Sequence, residues 1–166
     1  YSVDVKKIYQ LNYIYKSFFT PLKKNHRILK YVEKRKIPQI YYDTKVFAWS
    51  GTLQELINKS KLLKSNYNPN NYVRTNFLVF PSESIINNQL MVTGFNLRFL
   101  NDNYQPKYLK IELDIEMNPI KFFTNQFDLN IDNEYIIVVE GEIDSLMFQK
   151  IPTIAIKSSA LKRVNK

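Results

Sequence analysis

Glu140 and Asp144 are the two carboxylates whose setting in this chain points to chemistry. They lie in Tyr135-Ile-Ile-Val-Val-Glu-Gly-Glu-Ile-Asp-Ser-Leu-Met-Phe148. The apolar run from Ile136 to Val139 predicts a buried strand that stops at Glu140 and Gly141. Asp144 then falls on the first turn of a helix. A carboxylate at the end of such a strand, with a glycine to turn the chain, is where open α/β sheets hold their ligands. The spacing lets both side chains face one small volume. Two carboxylates that close repel each other unless a cation sits between them, and hard oxygen donors suit Mg²⁺. A second reading stays open: acidic residues at a helix N-terminus stabilise the helix through its dipole, with no metal involved.

The elements that must position this segment read clearly in places. Val5, Ile8, Tyr9, Leu11, Tyr13, Ile14 and Phe18 recur at near-helical spacing and predict a helix over 4–19, ended by Pro21. A second helix spans about Asn25 to Lys36, with Ile28, Leu29, Tyr31 and Val32 apolar and Lys30, Lys34, Arg35 and Lys36 basic. Pro38 opens a short connection with a further helical turn. Val46–Trp49 is a short apolar segment, and Ser50-Gly51-Thr52 turns into a helix of about Leu53 to Leu63. Asn66 to Asn71 is a polar loop. The period then changes to that of strands. Phe77–Pro81 predicts a strand stopping at the proline, Asn87-Asn88 a turn, and Leu90–Phe95 the return strand of a hairpin. Tyr108–Leu113 predicts another strand, while Ile120–Phe127 fits either state. Ile136–Val139, a helix of about Ile143 to Gln149 and Thr153–Ile156 make a β-α-β unit with a parallel pair.

Composition bounds the function. The chain has 166 residues, is 45% hydrophobic and carries a net charge of +9, which favours a polyanionic partner such as nucleic acid. It has no cysteine, so disulfides and zinc-thiolate sites are excluded, and an intracellular setting is expected. His26 is the single histidine and cannot build a metal site or a Ser-His-Asp triad alone. No stretch has the length and apolarity of a membrane span, and no signal-peptide pattern is present. Heavy use of Lys, Asn, Ile and Tyr points to an AT-rich genome. The first residue is Tyr rather than Met, which reads as a piece of a longer protein.

Several short segments, in one order along nearly the whole chain, resemble the RNA polymerase core of bacterial-type (DnaG-like) DNA primases. Ile28-Leu-Lys-Tyr-Val-Glu-Lys-Arg-Lys-Ile37 resembles that family's "YLxxRGI" helix, and Val46-Phe-Ala-Trp-Ser-Gly51 its "GFAPxG" segment. Phe77-Leu-Val-Phe-Pro81 is similar to "RIMFPI", and Val92-Thr-Gly-Phe-Asn-Leu-Arg-Phe-Leu100 to "VIGFGGRxL". Gln105-Pro-Lys-Tyr-Leu109 resembles "xPKYLN", and Lys121 falls near a later family lysine. Val138-Val-Glu-Gly-Glu-Ile-Asp144 resembles "VVEGYMD", the opening motif of the Toprim fold.

The resemblance implies an α+β chain: a mixed helical and β-sheet N-terminal subdomain of a primase core over 1–130, then the beginning of an α/β Toprim subdomain over 131–166. It implies template-directed synthesis of short RNA primers on single-stranded DNA by a DNA-directed RNA polymerase, with Mg²⁺ or Mn²⁺ as cofactor. Glu140 and Asp144 would be catalytic and hold the metal. Arg98, Lys107, Lys121 and Arg74 would contact template or nucleotide phosphates, and Tyr108 would stack on a base or pack. Nucleoside triphosphates and a replicative helicase are the further implied partners, with no membrane, at the replication fork or nucleoid of the cytoplasm.

The departures limit what carries over. Val46 replaces the glycine before "FAP". Phe77 replaces the arginine of "RIMFP", with Arg74 nearby out of register, and Asn96-Leu97 replaces the paired glycines before Arg98. Such a distant member fits a phage or mobile element. The family's second acidic motif, an Asp-x-Asp, is not found, and the residues after Ile156 contain no carboxylate. A longer parent that continues into this motif would strengthen the primase reading, and residues 1–166 alone are expected to have little or no polymerase activity. Two alternatives stand. Another Toprim enzyme, a nuclease or topoisomerase, shares the Glu-Gly-x-x-Asp logic but lacks the "FPxx…GFxxR…PKYL" block. A degenerate, non-catalytic nucleic-acid-binding module keeps the basic face without the chemistry.

Overall fold

The computed structural model describes residues 2–71, 73–129 and 135–156. Four helices and eight strands follow one another along them: α1 (Val3–Ile14), α2 (His26–Lys34), β1 (Phe47–Trp49), α3 (Leu53–Ser60), β2 (Leu63–Ser65), β3 (Phe77–Ile86), β4 (Gln89–Phe99), β5 (Tyr108–Leu113), β6 (Phe123–Thr124), β7 (Ile137–Val139), α4 (Glu142–Met147) and β8 (Thr153–Ala155). One sheet has five strands in the order β1-β3-β4-β5-β2, all antiparallel. The second has three, β6-β8-β7, with β7 and β8 parallel and α4 crossing between them. The boundary expected at 130/131 and residues 157–166 lie outside the described residues. No described helix is long and apolar enough to cross a membrane.

Local chemistry explains most of the elements. Ser2 caps α1, Asn25 caps α2, and Thr52 with Glu55 forms a capping box on α3. Asn87 and Asn88 both take positive φ (51° and 62°), the mirror-image two-residue turn that matches strand twist. Strand alternation then sorts the core of the large sheet into two faces. Phe77, Val79, Phe95, Leu97, Leu109 and Ile111 pack with Ile8, Leu11 and Leu56 on one side. Leu78 and Phe80 pack on the other with Ile28, Val32, Phe123 and Leu146.

Several sequence expectations change: the first helix ends at Ile14, and the return strand of the hairpin runs on to Phe99. The strand at Phe77 does not stop at Pro81 but runs on to Ile86. The missing amide hydrogen is tolerated because β1 pairs only as far as Val79 and a bulge follows at Ser82/Glu83, so no partner needs it. The third helix ends at Ser60 rather than Leu63. Lys61 caps it in the left-handed region (φ 59°), and Leu63 starts β2, buried against Leu113. The segment Ile136–Val139 is not a buried strand. β7 is the edge of its sheet, Val138 is 52% exposed and Ile136 lies outside the strand. The ambiguous stretch 120–127 contributes β6.

The backbones of the two sheets meet at Glu83 and Phe122. Glu83 and Phe122 exchange backbone hydrogen bonds of 2.7 and 2.9 Å. The Glu83 carboxylate, 3% exposed, accepts from Lys45 Nζ at 2.8 and 2.9 Å and from the Thr124 amide at 3.4 Å. Burial holds Glu83 above the usual carboxylate range, while Lys45 and the Thr124 amide pull it back. Removing one partner of such a pair strands a buried charge. Lys45→Met is therefore expected to lose about 3–5 kcal/mol at neutral pH in urea unfolding. Without Lys45 the folded carboxyl titrates still further above its unfolded value, so the remaining stability is fully present below pH about 4 and falls as pH rises. The penalty of Lys45→Met should thus shrink on acidification, and Lys45→Met/Glu83→Leu should stay near wild type. A penalty that does not change with pH would contradict this account.

Candidate functional site

The alternation that sends Phe95, Leu97, Leu109 and Ile111 into the first core sends their neighbours to the opposite face. Register pairs Arg98 with Tyr108, Asn96 with Lys110 and Gly94 with Glu112. That face of β4 and β5 is polar, and it looks toward α2 on one side and the second sheet on the other. Gly94 has a physical role here: a Cβ built on it would run into the Ile111 carbonyl oxygen of β5.

Arg98 is 7% exposed and fully engaged. Its Nε donates to the Tyr31 hydroxyl at 2.9 Å, Nη1 to the Tyr108 hydroxyl at 2.7 Å, and Nη2 to Asp102 at 2.7 Å. Arg35 reaches the other oxygen of Asp102 at 3.7 Å. Burial and then the neighbouring Glu142 carboxylate raise the Tyr108 phenol above its usual range, against the pull of Arg98, so it remains a protonated donor. The Glu142 carboxylate lies beside this phenol.

Glu142, 2% exposed, carries this chain of contacts to the second sheet. Its Oε1 accepts from Asn96 Nδ2 at 3.0 Å. Both residues line a cleft of about 610 Å³ between the sheets, together with Lys110, Glu112 and Lys121. Glu112 lies 2.8 Å from Lys121 Nζ and 3.3 Å from Lys110 Nζ. Burial pushes its carboxyl up, but Lys121 and Lys110 outweigh that and hold it low. The cleft therefore pairs fixed cations with fixed carboxylates.

The sequence-derived residues distribute unevenly around it. Arg98 and Tyr108 are brought into direct contact, and Lys121 lines the cleft. Glu140 and Asp144 flank Gly141 where β7 passes into α4, a Cβ on Gly141 lying 3.2 Å from Asp144 Oδ2. Both are exposed and lie outside the cleft lining, which Glu142 between them supplies. Lys107 is exposed, and Arg74 stacks 3.6 Å over the Tyr104 ring on the surface. Glu142, Asn96, Glu112, Tyr31 and Asp102 were not singled out from sequence. The alternation of β4 and β5 was signal enough for Asn96 and Glu112; no local pattern marks Glu142 as buried or Tyr31 as a partner of Arg98.

The donor set at Gly141 suits a hard cation in chemistry, being two solvent-facing carboxylates, the number Mg²⁺ commonly takes from protein when substrate phosphates and water complete its shell. Among the described residues no group of three or more His, Cys, Asp or Glu could hold a metal.

Comparison with known proteins finds no matching family model and no matching curated protein. Solved structures do match. A DnaG primase catalytic domain bound to ssDNA aligns with TM-score 0.60 at 20% identity, over 92% of this chain and 56% of that one. The DnaG catalytic core aligns at 0.60 and 22%, over 89% and 53%. The zinc-binding and RNA polymerase domains of the Aquifex aeolicus primase align at 0.61 and 20%, over 93% and 42%. The chain spans about half the length of these structures. Its fold is DnaG-like: a mixed α+β arrangement built on an antiparallel sheet.

If Glu142 ties the two sheets through Asn96 and Tyr108, Glu142→Ala should leave the Asn96 amide without its buried acceptor and cost about 1–3 kcal/mol in urea unfolding. Glu142→Gln, which keeps an acceptor oxygen, should cost less. Equal losses for the two variants would show that packing, not the hydrogen bond, sets the cost.

Proposed function

We propose that this chain forms part of a primase catalytic core, binding single-stranded DNA template and nucleoside triphosphates for divalent-metal-dependent synthesis of RNA primers. The observation that carries this reading is the placement of Glu140 and Asp144 at the turn from β7 into α4, in a fold similar to DnaG catalytic cores. On this reading residues 131–166 begin a Toprim subdomain, and 1–130 supply the template-binding lobe.

Phosphoryl transfer of this kind rests on positioning and on neutralising charge. Glu140 and Asp144 would hold a divalent cation there, and such a cation would neutralise charge on the triphosphate. Lys121 and Lys110, on the cleft wall, are placed to take up phosphate oxygens in exchange for Glu112. Arg98 acts through Tyr108, holding the phenol beside Glu142, while exposed Lys107 and Arg74 offer cations to the template backbone. Glu142 and Asn96 fix the start of α4 against β4, and so fix the direction of the two carboxylates beside it.

A second reading has an observation of its own. Every arm of Arg98 is already bonded within the protein, which favours a binding module that keeps the basic face and lacks the chemistry. Primer synthesis by the natural full-length protein on single-stranded DNA with Mg²⁺ separates the two. Glu140→Gln should lower synthesis by about a hundredfold or more while leaving DNA affinity near wild type. Undiminished synthesis in Glu140→Gln would end the catalytic assignment of that residue. DNA binding without synthesis in the wild-type protein would favour the module.

A further inference from the structure

Residues 21–36 carry seven Lys or Arg and a single carboxylate, Glu33. The buried side of α2 faces Ile28 and Val32 into the core. At 100° per residue, Arg27, Lys30 and Lys34 fall within a sector of about 60° on the opposite side. All three are exposed, as are Lys23 and Lys24 in the turn before the helix. None of these five makes an ion pair with a described residue. The net charge of the chain is thus concentrated here without local compensation.

The row has the dimensions of a phosphate ladder. From Arg27 to Lys34 the helix rises about 10 Å, so the three cations form one line along which the phosphates of a strand can lie. A protein partner fits less well. Protein interface cores are poor in lysine and rely on aromatic or aliphatic anchors, and no large hydrophobic side chain is exposed anywhere in 21–36. No residue of 21–36 lines the cleft between the sheets, so the row lies outside it.

We propose that Arg27, Lys30 and Lys34, preceded by Lys23 and Lys24, form a second contact for the phosphate backbone of single-stranded nucleic acid, separate from the cleft. The assignment rests on the nucleic-acid half of the proposed function and not on polymerisation. The contact is independent of sequence and strongly dependent on salt, because it works by releasing counterions.

Fluorescence anisotropy with a labelled oligothymidylate tests it, read as affinity against salt concentration. Arg27→Glu/Lys30→Glu/Lys34→Glu is expected to weaken binding by about tenfold or more at low salt and to reduce the log–log salt slope by about 2. Lys6→Glu/Lys16→Glu/Lys61→Glu, matched in charge and exposed elsewhere, is expected to change both far less. If the first triple does not fold, Arg27→Gln/Lys30→Gln/Lys34→Gln provides the same readout. Equal effects from the two triples would reduce the observation to net charge and overturn the site. Unchanged binding in the first triple, with wild type binding well, would overturn it and leave this face to an acidic protein. No binding by wild type would overturn it together with the nucleic-acid half of the proposed function.

Discussion

The buried pair of Lys45 and Glu83 is the constraint on which the arrangement of the two sheets depends. Glu83 sits on a bulge, where β3 turns its backbone outward to meet Phe122. The side chain would be an isolated buried charge without Lys45, and burial of an unpaired carboxylate is costly enough to forbid the geometry. With the pair in place, β6 is held at the margin of the large sheet and β8, α4 and β7 follow from it. Phe123, Ile143, Leu146 and Ala155 then close the second core over Leu78 and Phe80. The cleft is the space that this joint leaves open.

What faces the cleft is set by strand period. One register of β4 against β5 buries Phe95, Leu97, Leu109 and Ile111 together and thereby puts Asn96, Arg98, Tyr108, Lys110 and Glu112 on the other side. A slip by one residue would send the polar set into the apolar core, so the hydrophobic pattern enforces the functional face. The polar groups then form a chain of contacts, from Asp102 through Arg98 and Tyr108 to Glu142 and Asn96. The network reaches from the α2 side of the molecule to the first turn of α4.

Charge is handled in two ways. Within the cleft and at the joint, cations are matched to carboxylates, as Lys121 is to Glu112 and Lys45 to Glu83. On the outer side of α2 they are left unmatched. The first arrangement holds geometry, and at the joint, where Lys45 and Glu83 are buried, salt screens it little. The second creates a field outside the protein that salt screens within about 8 Å at physiological ionic strength.

Much of the fold was legible along the chain. The period of Val5, Ile8 and Leu11, the helix opening near Asn25, the Asn87-Asn88 turn and the β-α-β pattern after Ile136 are local signals, and each was read correctly in kind. The strand beyond Pro81 was not legible, because proline is excluded from a strand only where a neighbour needs its amide, and the neighbour is far away in sequence. Lys61 as a left-handed cap and the exposure of β7 are of the same sort. At the candidate site the sequence by itself determined the residue types, the alternation that puts Asn96 and Arg98 on one face, and the adjacency of Glu140, Gly141 and Asp144. Only the tertiary structure decided that Glu142 is the carboxylate turned into the cleft, and that Tyr31 occupies Arg98. These depend on how α2 and α4 pack against β4, through contacts between residues 46 to 71 positions apart that no local period encodes.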